Sequence, residues 1–88
     1  MAFFATVIDG IVTNVEVVSD EVSTNEAAGQ EFLAALYGTE SSVYVETFLT
    51  DETPYPRGKF AGIGDTWKPK PRTKDGGTFE PPVLPKTQ

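Results

Sequence analysis

Eighty-eight residues without a cysteine or a histidine exclude disulfide staples, thiolate metal sites and the commonest transition-metal ligand. Residues 1–56 carry ten carboxylates and no cation, a charge of −10. Residues 57–88 carry seven cations (Arg57, Lys59, Lys68, Lys70, Arg72, Lys74 and Lys86) against Asp65, Asp75 and Glu80, a charge of +4.

Ala2 to Ser19 predict a β-hairpin. Two apolar runs, 2–8 and 11–18, are separated by Asp9-Gly10 alone, and a two-residue turn of this kind needs positive φ at both central positions. In that register Ile8 faces Ile11, Thr6 faces Thr13, Phe4 faces Val15 and Ala2 faces Val17, on what is expected to be the core face. The opposite side, with Phe3, Ala5, Val7 and Val12 beside Asn14 and Glu16, is half apolar and is a candidate second contact surface.

Residues 23–37 predict a helix. Ser23 and Glu26 have capping-box spacing, and Asp20, Glu21 and Glu26 cluster where the helix dipole favours acids. Ala28, Phe32 and Leu36, flanked by Leu33 and Ala35, form the expected buried stripe, and Gly38 is the expected left-handed stop. Gly29 weakens the helix, by about 1 kcal/mol, unless it permits close packing on the sheet, which is the preferred reading. Residues 43–50, rich in β-branched and aromatic side chains, predict a third strand.

Beyond residue 50 the pattern becomes loop-like, with Pro54, Pro56 and Gly58 as punctuation. Short strands are predicted at 66–68 and 78–80, joined through Asp75-Gly76-Gly77. Pro81, Pro82 and Pro85 make the end extended and unable to donate hydrogen bonds. All seven prolines lie from Pro54 onward. The expected organisation is an acidic α+β body, 1–53, followed by a basic, proline-rich loop and C-terminal arm, 54–88. The fold class is α+β: a small antiparallel sheet, made of the N-terminal hairpin and a third strand, packed by one helix, with the arm extended.

A body of roughly 50–65 residues lies near the lower limit for a self-sufficient core. Oligomerisation or docking on a larger partner is the staple left to it. The start of the chain lacks the positive flank of a secretory signal, and no stretch approaches the ~20 apolar residues of a membrane span. A soluble protein with no membrane partner is expected.

Chemistry is not expected. Gly62-Ile63-Gly64 lacks a third glycine, and Trp67 and Lys68-Pro69-Lys70-Pro71 follow where a phosphate-binding helix would start. The two glycines are read as a tight turn, with Ile63 packing inward beside Phe60 and no nucleotide bound. The pairs Asp20/Glu21 and Asp51/Glu52 lack the alternating spacing of a calcium loop. Without histidine, a serine or threonine nucleophile would need lysine as its base, and no such motif is present. No catalytic residue, metal or cofactor is assigned. The arm interleaves cations with Tyr55, Phe60, Trp67 and Phe79, a combination that can hold single strands, but ten uncompensated carboxylates repel phosphate and argue against nucleic acid. Complementary charge on the two halves sets orientation and partner choice, so the composition points to assembly. The competing outcome is that the basic arm folds back over its own acidic body and completes the sheet with 66–68 and 78–80.

Landmarks run along nearly the whole chain: Phe3-Phe4-Ala5 in the first strand, Gly29-Gln30-Glu31-Phe32 leading to Leu36-Tyr37-Gly38, and Tyr44 with Glu46-Thr47. The most specific is 57–67, Arg-Gly-Lys-Phe-Ala-Gly-Ile-Gly-Asp-Thr-Trp, followed by Phe79 and Glu80-Pro81-Pro82. Together they resemble a group of small, mostly uncharacterised proteins of tailed phages, especially marine and cyanobacterial ones, in which an aromatic-Ala-Gly-Ile-Gly-Asp/Tyr-Thr-aromatic box precedes an aromatic and a proline-rich ending. Lys68 departs from an acid often found there, and 69–77 is longer and more basic than the pattern. The resemblance lends no catalytic residue. It implies an accessory structural protein of the virion, a head decoration or a tail or neck component, present in the host cytoplasm before assembly. Its expected partners are other phage structural proteins and copies of itself, contacted through the arm by Tyr55, Arg57, Phe60, Trp67, Lys68, Lys70, Arg72, Phe79 and Leu84. The alternatives are a non-virion phage protein that binds a host factor through the acidic body, and a tail-fibre assembly factor.

Overall fold

In the computed structural model, which describes residues 1–69 and 76–82, two apolar strands and a tight turn start the fold. β1 (Ala2–Ile8) and β2 (Ile11–Val18) pair antiparallel around Asp9 and Gly10, whose φ values of 53° and 80° are both positive, as the dipeptide predicts. A β-branched side chain at φ > 0 is strained by about 1–3 kcal/mol, so Gly10→Val is expected to lower the midpoint of a thermal melt.

The register holds only as far as Val7↔Val12. There Thr13 is an extra residue, and beyond it Thr6 pairs with Asn14, Ala5 with Val15, Phe4 with Glu16 and Ala2 with Val18. A bulge of one residue exchanges the two faces of the rest of the strand. Val15 and Val17 therefore lie opposite the side expected for them, and Glu16 and Val18 join Phe4. Ile8 and Ile11 do face each other, but both are exposed at the tip.

A 3-10 turn at Asp20–Val22 leads into α1 (Glu26–Tyr37). The N-cap is Asn25, whose Oδ1 accepts from the Ala28 N–H at 2.8 Å; Ser23 instead donates to the Ser19 carbonyl at 2.6 Å. The capping box expected of Ser23 and Glu26 is absent because the chain turns once more before the helix starts. Gly38, at φ 70°, ends it. The buried stripe is also rotated: Gly29 and Leu33 face inward, while Phe32 and Leu36 are 39% and 59% exposed. Phe4 fixes that rotation. It is fully buried, and a Cβ on Gly29 would stand 2.3 Å from its Cζ. Helix propensity favours alanine by about 1 kcal/mol, but overpacking costs about 1–3 kcal/mol, and a ring with no free space cannot yield. Gly29→Ala is therefore expected to destabilise the protein in chemical denaturation. Adding Phe4→Leu should recover part of the loss, the non-additivity of two residues in contact.

After a second 3-10 turn at Ser41–Val43, β3 (Tyr44–Thr47) pairs with β1, and the chain leaves the sheet at Phe48, earlier than the sequence implies. β4 (Thr66–Lys68) and β5 (Thr78–Glu80) form where predicted and complete one antiparallel sheet of order β3-β1-β2-β4-β5. The fold is α+β. Its sheet has five strands rather than three, because the described part of the arm joins it.

Each face of the sheet carries a core. Ala2, Phe4, Val18, Leu33 and Tyr44 pack under α1. On the other face Ala5, Val12 and Val45 pack against Ala61 and Phe79, with Trp67 at the margin. The half-apolar side of the hairpin, expected to be a contact surface, is thus covered by residues from beyond position 54. The change of composition at 53/54 is not a boundary of packing among the described residues.

Candidate functional site

The segment that turns the chain back onto its body is built around Arg57. It follows a cis Thr53–Pro54 bond, and the Tyr55 hydroxyl donates to the Phe48 carbonyl. Arg57 itself has a left-handed φ of 56°, and its carbonyl accepts from the Phe79 N–H of β5 at 2.8 Å. Its side chain runs to the opposite edge of the sheet. Nη1 donates to the Glu46 carbonyl of β3 at 2.5 Å, and the two guanidinium nitrogens fork onto the Glu26 carboxylate at 2.9 and 3.2 Å. The cation also stands 5.3 Å from the Trp67 ring centre and 5.6 Å from that of Phe48. One residue thereby links both outer strands.

The outer edge of β3 is saturated in the same way. Glu26 accepts from the Glu46 N–H at 2.9 Å, Gln30 donates to the Tyr44 carbonyl at 2.6 Å, and the Tyr44 N–H turns back to Ser41. An edge whose backbone groups are taken by side chains cannot template another strand. Burial alone would raise the Glu26 pKa, but the hydrogen bonds from Arg57 and the Glu46 N–H, with the Arg57 charge, outweigh it and hold the carboxyl below its ordinary 4.5. Glu46 moves the other way: burial and the neighbouring Glu26 charge raise it, and Arg57 offsets only part.

The Ala-Gly-Ile-Gly-Asp-Thr-Trp box, 61–67, is a second buried polar turn. The Asp65 carboxylate accepts from Lys59 Nζ at 2.6 Å and from the Gly62 N–H at 2.7 Å. The Val12 N–H donates to the Asp65 carbonyl and the Gly64 N–H to the Val12 carbonyl, both at 2.8 Å, while the Ala61 N–H donates to Thr47 Oγ1. The box welds the arm to β2 and β3. Ile63, expected to pack inward beside Phe60, is 71% exposed: the turn sends the buried Asp65 carboxylate inward and leaves Ile63 at its crest. Phe60 packs edge-on against Phe3 instead, with ring centres 5.3 Å apart.

Most of the expected partner anchors therefore serve the fold itself. Arg57 and Phe79 are buried, and Tyr55, Phe60 and Trp67 are half-buried, the last with its ring 4.7 Å from that of Phe79. Lys68 is exposed. Lys70, Arg72 and Leu84 lie outside the described residues. As for charge complementarity, Arg57 meets it on Glu26 of the acidic half, while Lys59 pairs with Asp65 inside the basic half.

The exposed surface with an unusual chemistry is the outer face of α1. Of the helix's three side chains that carry a carboxylate or carboxamide, Glu26 and Gln30 point inward to the β3 edge, so only Glu31 remains on the solvent side with Ala27, Phe32, Ala35 and Leu36. The helix keeps an apolar inner face, Gly29, Leu33 and Ala34, and carries a second apolar set outward where a polar face is usual. The sequence shows the apolar set but not its direction, and assigning Ala28, Phe32 and Leu36 to the core concealed the surface. Two clefts flank the sheet. One, of about 390 Å³, has Phe3 and Phe48 inside it with Glu46 and Glu52 among its walls; the other, of about 280 Å³, lies between Asn14, Glu16, Tyr37 and Tyr44. In the second, Tyr37 donates to Glu16 at 2.6 Å, and that bond, with burial, raises the phenol pKa above 10.0.

Among the described residues no helix is long and apolar enough to cross a membrane. No protein-family model, curated protein or solved structure matches the chain.

Proposed function

We propose that this chain is an accessory structural protein of a tailed-phage particle, a head decoration or a tail or neck component, that acts by binding other proteins. The observation that carries the binding part is the apolar outer face of α1. A small domain that turns its helix's Glu26 and Gln30 inward and leaves Phe32 and Leu36 outward keeps an apolar face in water, and such faces mark interaction sites. The phage part rests on the resemblance of 57–67 and of the landmarks before it. The contact differs from the one the sequence suggests: the aromatics of the arm hold the fold together, and the surface offered to a partner is the helix. Lys68, with Lys70 and Arg72 further along the chain, supplies orienting charge.

Mass spectrometry of purified particles tests this reading. Many copies per particle are expected, and absence from particles, with the protein recovered only from infected cytoplasm, overturns it. That second outcome is the signature of a non-virion protein binding a host factor. The position of the helix face, wholly within the acidic half of the chain, favours this as the rival reading.

A further inference from the structure

The outer face of α1 has a chemistry that selects its occupant. Its apolar groups, the half-buried Ala28 at the margin and the exposed Phe32, Ala35 and Leu36, follow the spacing of four, three and one that lines one side of a helix. The small alanines beside Phe32 make a groove next to a ridge, the relief into which a second helix packs. From Ala28 to Leu36, at 1.5 Å per residue, the seam runs about 12 Å along the helix. The charge around the seam has one sign. Glu31 stands beside Phe32, Asp20 and Glu21 lie before the helix, and Glu40 lies just after it, all exposed. Asp20 pairs with the Met1 ammonium at 2.5 Å, but residues 1–56 hold no lysine or arginine to neutralise Glu21, Glu31 and Glu40.

On the reading that this protein works by binding, we infer that the outer face of α1 docks a cationic amphipathic helix of another protein, one with an apolar stripe flanked by lysine or arginine. Charge complementarity makes the choice. A second copy seated by the same face brings its own acids: antiparallel pairing about Phe32 sets Glu31 against Glu31, in a protein that already carries −6. An anionic membrane or a phosphate backbone meets the same repulsion. A basic helix instead places cations over Glu21, Glu31 and Glu40 while its apolar stripe covers Phe32 and Leu36, the two groups that gain most from leaving water.

The experiment uses the full chain and a labelled synthetic peptide of about 15 residues, long enough to form ~22 Å of helix. Its apolar stripe is leucine and its remaining positions lysine, and a counterpart carries glutamate for lysine. Anisotropy titration is expected to show saturable, salt-sensitive binding of the lysine peptide and none of the glutamate peptide. Amide shifts on binding should be confined to residues 27–40 and to the turn at 20–22. Phe32 is 39% exposed and partly packed by the fold, so Phe32→Asp is paired with Leu36→Asp, at a side chain 59% exposed. The Leu36 variant should keep the parent's melt while its affinity falls at least about tenfold, the size of an interface anchor. Glu31→Lys should weaken the lysine peptide without changing the melt. Equal binding of both peptides, shifts elsewhere on the protein, or no binding at all would overturn the inference. So would a dimer in sedimentation equilibrium that Phe32→Asp dissolves, since the occupant would then be a second copy. A particle component that ignores the lysine peptide keeps the proposed function and loses this surface. A peptide binder absent from particles does the reverse.

Discussion

A chain ending at Asp65 is expected to lose cooperative unfolding altogether. The sequence leaves two outcomes: a soluble acidic body that survives without residues 66–88 as an arm reserved for a partner, or an arm that completes the body's own sheet and whose loss unfolds it. Truncation there removes β4 and β5 and uncovers Ala5, Val12 and Val45, which Phe79 and Trp67 cover on the second face of the sheet. Losing a buried Phe alone costs about 3–5 kcal/mol, against a total stability of about 4–13 kcal/mol for a domain of this size. Truncation adds the loss of the Trp67 contacts and of the hydrogen bond from the Trp67 N–H to the Gly10 carbonyl. Circular-dichroism melts should show a sigmoidal transition for the full chain, a lower midpoint for Phe79→Ala and a featureless slope for the truncation. A truncated chain that still melts cooperatively would show the second core to be dispensable and restore the arm as a free strap.

Local signals in the sequence are the ones the structure follows. Asp9-Gly10 and Gly38 sit where the chain needs positive φ, and β4 and β5 are bounded by turn residues that leave little choice. What is not legible depends on partners distant in the chain. The bulge at Thr13 has no sequence mark, yet it exchanges Val15 and Val17 for Glu16 and Val18 on the helix face. The helix shows apolar residues nearly all round, so its direction is settled from outside, by Phe4 filling the space at Gly29 and by the need for Glu26 and Gln30 at the edge of β3. Ile63 reads as core from its type alone and is exposed because Asp65 takes the interior. Of the candidate site, the apolar set of α1 was visible and its exposure was not. Arg57 was singled out as a partner contact for the features that make it a structural clamp: a planar cation next to aromatics and an excess of carboxylates. Its carboxylate partner stands 31 residues earlier, beyond any local pattern.

Replacing Arg57 by methionine is expected to cost as much as losing the buried Phe79 side chain. It removes the fork on Glu26 and the bond to the Glu46 carbonyl, leaving two partly buried carboxylates with no cation between them. Breaking a buried pair by removing one partner costs about 3–5 kcal/mol. Arg57→Lys should lose less but still be impaired, because an ammonium cannot fork onto a carboxylate and hold the strand carbonyl in one plane. The pH dependence separates a charge clamp from a mere packing loss. The folded-state pKa of Glu26 is depressed, so its contribution is present above the ordinary 4.5 and is lost as pH falls through the lowered value. The folded-state pKa of Glu46 is raised, so its ionisation costs stability, and that cost appears as pH rises past 4.5. Without Arg57 both carboxylates prefer to be protonated, so acid relieves the variant at both groups, whereas in the parent it relieves Glu46 and removes the contribution of Glu26. The difference between them in urea denaturation should therefore be full near about pH 7 and shrink towards about pH 3.5, below the ordinary range of both groups. A penalty constant across that interval would mean that Arg57 acts through its stem against Trp67 and Phe48, and that the two edges of the sheet are joined by packing rather than by charge.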